Sequence, residues 1–424
     1  MRARWLSVGV TLLLLVVVAA CGGEQEPATG DQGGDSGDGG GGRVKFGFLI
    51  GVTGDYSPYF EPSRIGAEIA IDEINQAGGV MDERVQLVTA DNQSTVEGAV
   101  QGFSRLVDVD NVVAIGGVES DGALAILDSV KEQQIPTMCP ACGTSELDRA
   151  AGDFIWRITG SDSDGGLIAA QFARDEGYER VAMLVQKTEG ASAPANVFKS
   201  TFEENVGGTV TADVRFDPGK PTFQTELQQV YSGEPEAVYV GAGFEAGTVI
   251  FQEWERRGYG GNFFVSPDLV VPEIASLTPA LQNGVARAAI PAYDQSSPAY
   301  ESFAERYEAE AGEPPSAGLY EANQYDQYIA LALAIAAADS LEGPDIAAAV
   351  PDVLNPGGKD VYSFEDGVKE LEAGNDIDYH GASSSLDLNE FGNLASPVFG
   401  QQEISAQGEW EQVRTIELDP SLKQ

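Results

Sequence analysis

Histidine occurs once in these 424 residues, and Lys plus Arg total 24 against 67 Asp plus Glu, a formal charge of −43. Serine and cysteine hydrolase chemistry ordinarily takes a histidine base, and most zinc sites take several His or Cys ligands. His380, in the loop-like Asp378-Tyr379-His380-Gly381, is therefore expected to be a solvent-exposed residue, with no catalytic role and no metal. A Gly-x-Ser-x-Gly elbow and a phosphate-cradling Gly-x-x-x-x-Gly-Lys are both absent. The shortage of bases excludes nucleic acid and anionic lipid surfaces as partners, because both require a positive face. A run long enough for a membrane span is missing too: the apolar stretch Leu6 to Val18 near the N-terminus falls short of the ~20 residues that a span needs.

The Leu6 to Val18 run carries information because of its flanks. Arg2 and Arg4 precede it, and Val18-Ala19-Ala20-Cys21 follows it. A positive start, an apolar core and small residues before a cysteine are the marks of a lipoprotein export signal. Residues 1–20 are expected to be removed and Cys21 to carry lipid, leaving the protein outside the cytoplasm and in touch with the membrane only through that anchor. Residues 21–42 continue as a Gly/Asp tract whose acids are Glu24, Glu26, Asp31, Asp35 and Asp38, with no base and almost nothing apolar. Such a tract cannot bury enough surface to order itself, and its ~21 residues give a flexible reach of roughly 25 Å.

The remaining chain is rich enough in apolar residues to fold, at 42% hydrophobic overall with four Trp, 14 Tyr and 18 Phe. It is too long for one typical core, so two lobes are expected. From Val44, Val/Ile-rich strands alternate with helical patterns: Val44 to Ile50, then a helix with Ile65, Ile69 and Ile74, then Val85 to Val88, Val112 to Ile115 and the run from Ile135. The same alternation restarts after Ile155 to Gly160, with strands at Val181 to Val185, Val210 to Phe216, Ala237 to Val240 and Phe263 to Val265. This is the α/β pattern of two doubly wound, Rossmann-like lobes with parallel sheets covered on both faces, whose ligands bind beyond the carboxyl ends of the strands. Two helical segments follow, Ser297 to Ala311 and Gly318 to Ala338, the second apolar enough to be core. The tail from Ser383 reads as short strands with a turn at Asn389 to Asn393. An Asp387/Asn389/Asn393 calcium loop would lack its twelfth-position Glu, which leaves an ordinary turn.

Two motifs admit more than one reading. Cys139 and Cys142, in Cys139-Pro140-Ala141-Cys142, follow a strand-like run deep in a lobe rather than opening a helix early in a small domain; they read either as a structural disulfide or as two free thiols. Gly241-Ala242-Gly243-Phe244-Glu245-Ala246-Gly247 resembles a dinucleotide fingerprint with Asp268 downstream, but its spacing is off by one, which favours a tight strand-to-helix turn facing a cleft.

The order of segments then resembles a known family. Phe48 to Gly54, Gly66-Ala67-Glu68-Ile69-Ala70-Ile71-Asp72-Glu73-Ile74-Asn75 with Gly78-Gly79, Ile115-Gly116 before Ser120, Pro140-Ala141 before Glu146-Leu147, and Tyr325-Asp326 are similar to the leucine/isoleucine/valine-binding type I solute-binding proteins of ABC importers. The resemblance implies two α/β lobes joined by a three-segment hinge, with residues 43–160 plus 291–395 in the N-terminal lobe and 161–290 plus 396–424 in the C-terminal lobe. It also implies a site without cofactor or catalytic residue. Ser120 with Ala141, Gly143 or Thr144 would hold a ligand carboxylate, Asp268 an ammonium group, and Tyr59, Tyr320 and Phe244 would form aromatic walls. Second-lobe aromatics of the family fall on Gly190 and Gly243 here, and Glu119 and Asp121 flank Ser120, so the cleft departs from the leucine-type site toward a roomier and more acidic one. The expected role is capture of an amino acid or a related small amine or amide by closure, delivered to permease subunits. A receptor-coupled sensor, or an exported dinucleotide enzyme, is the alternative.

A charge of −43 fits a saline habitat, where added ions screen repulsion between surface carboxylates and shorten the Debye length from ~10 Å at 0.1 M to ~3 Å at 1 M. The melting temperature is accordingly expected to rise with potassium chloride, and a flat or falling curve in a thermal scan would refute this reading.

Overall fold

The computed structural model of the protein describes residues 44–423, so the export signal, Cys21 and the Gly/Asp tract lie outside the described residues. The first sheet takes strands β1 (Val44–Ile50), β2 (Val85–Asp91), β3 (Ala114–Gly116), β4 (Thr137–Cys139) and β5 (Ile155–Arg157), in the order β2-β1-β3-β4-β5, all parallel. The second takes β6 (Arg180–Gln186), β7 (Thr209–Phe216), β8 (Ala237–Gly241), β9 (Asn262–Val265) and β10 (Ala286–Pro291). Returning strands β13 (Phe399–Ile404) and β14 (Trp410–Ile416) add an antiparallel edge, giving the order β14-β13-β10-β9-β8-β6-β7. Between them, β11 (Lys359–Val361) and β12 (Ile377–Tyr379) form a separate two-stranded parallel ribbon.

Helices cover both sheets. In the first stretch of chain they are α1 (Ser57–Gln76), α2 (Val96–Ser104), α3 (Ser120–Gln133) and the single-turn α4 (Leu147–Ala150). The second brings α5 (Asp162–Asp175), α6 (Glu189–Thr201), α7 (Gln224–Tyr231), α8 (Phe244–Arg257) and the short α9 (Pro272–Ala275). The chain then returns to the first sheet with α10 (Pro298–Ala311), α11 (Glu321–Ala338), α12 (Gly343–Leu354) and α13 (Phe364–Glu372). The result is the two-lobed α/β architecture expected from the sequence, because the inner parallel strands are buried on both faces and need a helix on each side. The chain passes between the sheets after β5, after β10 and before β13.

Several family-like residues turn out to serve packing. Gly66 lies where α1 meets α11, and a Cβ there would sit 2.4 Å from the Glu321 carbonyl oxygen. Asn75 closes the connection from α1 to β2 by donating from Nδ2 to the Val85 carbonyl (2.9 Å) and accepting from the Val85 amide (2.8 Å). Gly79 has φ +88° and runs tight against the Glu83 carbonyl, a conformation and an approach that exclude a side chain. α11 is the core element the sequence expects, buried from Glu321 through Ile335. It starts three residues later than its apolar pattern suggests, since Tyr320 stands in the left-handed region at φ 60° and interrupts the approach to the helix. On its inner face the buried Asp326 accepts from the Tyr379 hydroxyl (3.0 Å) and the amides of Ala382 and Ser383 (both 2.7 Å), tying α11 to the segment after β12.

Other differences from the sequence reading have simple causes. β10 is half alanine and lacks the β-branched run that marks the other strands, so its composition does not announce it. β11 and β12 are three residues each, too short for a visible alternation.

Candidate functional site

The carboxyl ends of both sheets face one another across a cleft. On the first lobe the loop after β1 supplies Asp55 and Tyr56 and the first turn of α1 supplies Tyr59, the loop after β3 and the start of α3 supply Glu119 to Asp121, and the loop after β4 supplies Ala141 to Thr144. On the second lobe the turns after β6, β8 and β9 supply Gln186 to Gly190, Ala242 to Glu245 and Ser266 to Asp268.

The lobes touch through direct hydrogen bonds. Asp55 Oδ1 accepts from the Glu245 amide at 3.0 Å and its Oδ2 from Gln186 Nε2 at 3.0 Å. Asp121 accepts from the amides of Glu189 (2.9 Å) and Gly190 (3.3 Å). Each carboxylate thus stands at the N-terminus of a second-lobe helix, α8 or α6, where unpaired amides and the helix dipole favour negative charge. The Thr144 hydroxyl donates to Glu189 Oε1 (2.6 Å) and the Tyr59 hydroxyl to the Pro267 carbonyl (3.2 Å). This is a closed conformation. Its closeness explains the glycine at Gly243, where a Cβ would lie 2.3–2.7 Å from Asp55; a Cβ on Gly190 would lie 3.2 Å from the Tyr56 hydroxyl and 3.4 Å from Asp268 Oδ2, a tight but tolerable fit. The Gly241 to Gly247 segment is accordingly a strand-to-helix turn facing the cleft. Its amides go to protein acceptors, Gly243 N to Gln186 Oε1 at 2.9 Å and Glu245 N to Asp55.

Between the lobes lies a small cavity lined by Ile50, Tyr56, Tyr59, Ser63, Gly117, Glu119, Ala141, Asp268, Tyr320 and Gln324. Its volume is about 30 Å³, room for a water or two and far below the ~300 Å³ at which small-molecule pockets begin. A solute the size of an amino acid therefore enters only if the lobes part. A larger cavity of about 350 Å³ sits among the crossing segments, lined by Ile158 and Thr159, Pro291 to Asp294 and Ser396 to Val398, and marks space at the hinge.

Among the described residues no lysine or arginine lines the interlobe cavity. Burial raises Asp268 to about 7, reinforced by the nearby charges of Asp121, Asp55 and Glu119. Glu119 is likewise raised to about 7 by burial, although Asn92 Nδ2 donates to its Oε2 (2.7 Å) and the Gly122 amide to its Oε1 (3.2 Å). Two poised carboxylates with no base beside them make a site suited to a cationic group.

The sequence-predicted residues fall into place unevenly. Tyr59, Ala141, Asp268 and Tyr320 line the cavity together, with the rings of Tyr59 and Tyr320 at 6.3 Å. Ser120 does not cap its helix; Glu119 does, and Ser120 Oγ accepts instead from the Thr144 amide at 3.2 Å. Gly143 faces Asp162, which a Cβ would strike at 2.1 Å. The Gly143 and Thr144 carbonyls both accept from the buried Arg157 guanidinium (3.2 and 3.0 Å), whose other end pairs with Asp148 at 2.7 Å, so a core arginine shapes the loop after β4. Phe244 packs on the second-lobe core rather than lining the cavity. Cys139 and Cys142 are joined as a disulfide at the mouth of that same loop. Sequence reasoning missed Asp55 and Tyr56; the signal available was their position in Gly54-Asp55-Tyr56-Ser57, directly ahead of α1 at a strand's carboxyl end. Gly243→Ala is expected to block the approach of Asp55 and hold the lobes apart. Small-angle scattering should then give a larger radius of gyration than wild type, and an unchanged radius would show that the contact does not limit closure.

Residues 43–355 match the model of the periplasmic binding protein family. A Leu/Ile/Val-binding protein of Rhizobium johnstonii is 26% identical over 200 residues, 47% of this chain and 54% of that protein. The leucine-, isoleucine-, valine-, threonine- and alanine-binding protein of Pseudomonas aeruginosa is 21% identical over 72% of this chain and 82% of its own length. The chain spans about half the length of the curated relative from Rhizobium. Among solved structures, a leucine-binding protein of Thermotoga maritima superposes with a TM-score of 0.75 at 23% identity, covering 89% of this chain and 99% of that one. A branched-chain amino acid substrate-binding protein of Streptococcus pneumoniae in complex with isoleucine gives 0.73 at 18% identity, covering 88% and 99%. The match over most of the chain, the two-lobed fold and the closed cleft agree, and the protein belongs to the periplasmic binding protein family, whose members are solute-binding rather than catalytic and lie outside the cytoplasm.

Proposed function

We infer that this protein is the substrate-binding component of an ABC importer for an amino acid of the branched-chain type, or a related small amine or amide. The lobes, 43–160 with 291–395 and 161–290 with 396–424, act as jaws. The observation that carries the reading is the meeting of Asp268 with Glu119, Asp121 and Asp55 in a cleft that no base lines. An ammonium group entering there would replace repulsion among carboxylates with attraction. Ser120, Ala141 and Thr144 offer a hydroxyl and loop amides for the ligand's other end once the Ser120–Thr144 and Thr144–Glu189 hydrogen bonds open. Tyr59 and Tyr320 supply walls with apolar area and electron-rich faces for a cation. The names of the relatives support an amino acid, and the acidic cleft supports its amine as the group most strongly held.

The mechanism is a shift of population. An open form admits the solute, contacts to both lobes favour closure, and the closed form is presented to permease subunits. Among the described residues no helix is long and apolar enough to cross a membrane. Attachment through lipid on Cys21, which lies outside the described residues, would keep the jaws near the permease. A sensor role, with the closed form read by a receptor, uses the same motion.

The pH dependence has a definite sign. Asp268 and Glu119 titrate near 7 in the closed, ligand-free protein, well above the ordinary carboxylate range, so closure without ligand is favoured below that range and weakens as pH rises through about 7. An ammonium ligand needs the ionised form, so its affinity should rise from pH 5 to pH 8, by up to about tenfold per unit while one carboxylate titrates. Calorimetry with the best hit of a thermal-shift screen across amino acids, amides and polyamines should show this slope. Asp268→Asn should lower affinity at pH 8 at least tenfold, since cutting one partner of a desolvated charge pair costs ~2–5 kcal/mol, and should flatten the slope. An unchanged dissociation constant would remove Asp268 from the site. Cys21→Ser should release the protein from membranes on fractionation, and its retention would mean that the apolar run remains as the anchor.

A further inference from the structure

The lone histidine is not the isolated exposed residue its sequence neighbourhood suggests. In the two-stranded ribbon Asp360 is the register partner of Asp378, which puts both on one face, and His380 follows Asp378 by two residues and shares that face. The intervening Tyr379 points the opposite way, into the core, where its hydroxyl reaches Asp326. The His380 amide donates to the Val361 carbonyl at 3.0 Å, extending the ribbon, and the ring is steadied by stacking on Tyr362 with centroids 5.5 Å apart.

His380 Nε2 lies 3.5 Å from Asp360 Oδ1 and 3.6 Å from Asp378 Oδ1, and one donor atom from each of the three residues falls within 4.8 Å of the other two. These separations are long for hydrogen bonds, whose N···O distance clusters near 2.9–3.0 Å. They are close to the edge of a tetrahedron of ligands ~2.0–2.1 Å from a central ion, roughly 3.3–3.4 Å. Asp378 is only 5% exposed, yet its Oδ1 has no hydrogen-bond partner, and neither has His380 Nε2. Asp387 Oδ1, on the segment that folds back beside the ribbon and near enough to act on the charge of Asp378, is likewise unpartnered. A buried carboxylate oxygen facing an imidazole nitrogen, both unsatisfied, is costly unless something bonds to both. Asp360, 65% exposed, leaves a way in from solvent.

We propose that Asp360, Asp378 and His380 form a binding site for a divalent transition-metal cation of the zinc type, with the remaining coordination left to water or Asp387. Imidazole with two carboxylates selects such an ion over calcium or magnesium, which take oxygen ligands. The ion would clamp β11 to β12 and fix the start of the segment that holds Asp326. The site is independent of the interlobe cleft and of the solute proposed for it.

The test is calorimetric titration of chelator-stripped protein with zinc chloride, with calcium chloride as the contrast. Wild type should take up one equivalent of zinc, with at least a tenfold loss of affinity in His380→Gln and in the exposed-ligand variant Asp360→Asn, while calcium gives no saturable heat. Circular dichroism establishes that each variant is folded, and the use of two variants guards against loss of one to misfolding. Absence of stoichiometric zinc uptake, or uptake of equal strength in His380→Gln, would overturn the proposal, the second by placing the ion elsewhere on an acidic surface.

Discussion

Two first-lobe carboxylates, Asp55 and Asp121, reach across the cleft to the N-termini of α8 and α6, and the rest of the molecule is arranged around that contact. The amides at a helix start are unpaired and carry the positive end of the dipole, so they bind carboxylates well wherever both can be brought together. Here each side of the bargain sits on a different lobe. Apart, each would be hydrated instead, so the contact exchanges hydrogen bonds to water for hydrogen bonds between lobes and its net contribution is modest.

The same contact dictates the shape of the second lobe's rim. Gly243 is bare because Asp55 occupies the space its side chain would fill, and Gly190 is closely approached by Tyr56 and Asp268. Loss of the bulky lid residues that the family resemblance implies is therefore not extra room in the closed form. The space is taken by Asp55 and Tyr56 of the first lobe and Asp268 of the second, and the enclosed cavity is about 30 Å³. What the cleft gains is charge: Asp55 and Asp121 come within range of Asp268 and Glu119, and the last two are driven toward neutrality by burial. The chain's overall acidity and the acidity of the cleft are separate matters, since surface carboxylates are screened by salt whereas enclosed ones are not.

Much of the family-like sequence pattern has structural rather than ligand-binding causes. Gly66 lets α1 approach α11, Asn75 closes the turn onto β2, Gly79 adopts a positive φ, and Asp326 gathers the amides after β12. The residues that line the interlobe cavity lie largely at strand ends and helix starts, where a scaffold of this kind tolerates change. A pattern that identifies the fold is for this reason a poor guide to the solute.

The sequence by itself determined the two-lobed α/β architecture, because strands buried on both faces must be apolar throughout and the helices between them must show a 3.6-residue period, and both signals are local. The family resemblance pointed to Tyr59, Ala141, Asp268 and Tyr320, and these four do line one cavity: Ala141 and Asp268 follow strands, while Tyr59 and Tyr320 stand in or at the start of the helices α1 and α11. Tertiary structure alone decided which loop residues meet across the cleft, so that Asp55 and Tyr56 enter the site, Phe244 turns to the core and Ser120 engages Thr144 instead of capping its helix. It alone brought Asp360 to His380, 20 positions apart in sequence, through a ribbon too short to carry a pattern. Contacts of this kind depend on register and on the meeting of distant segments, and neither leaves a periodic trace in the chain.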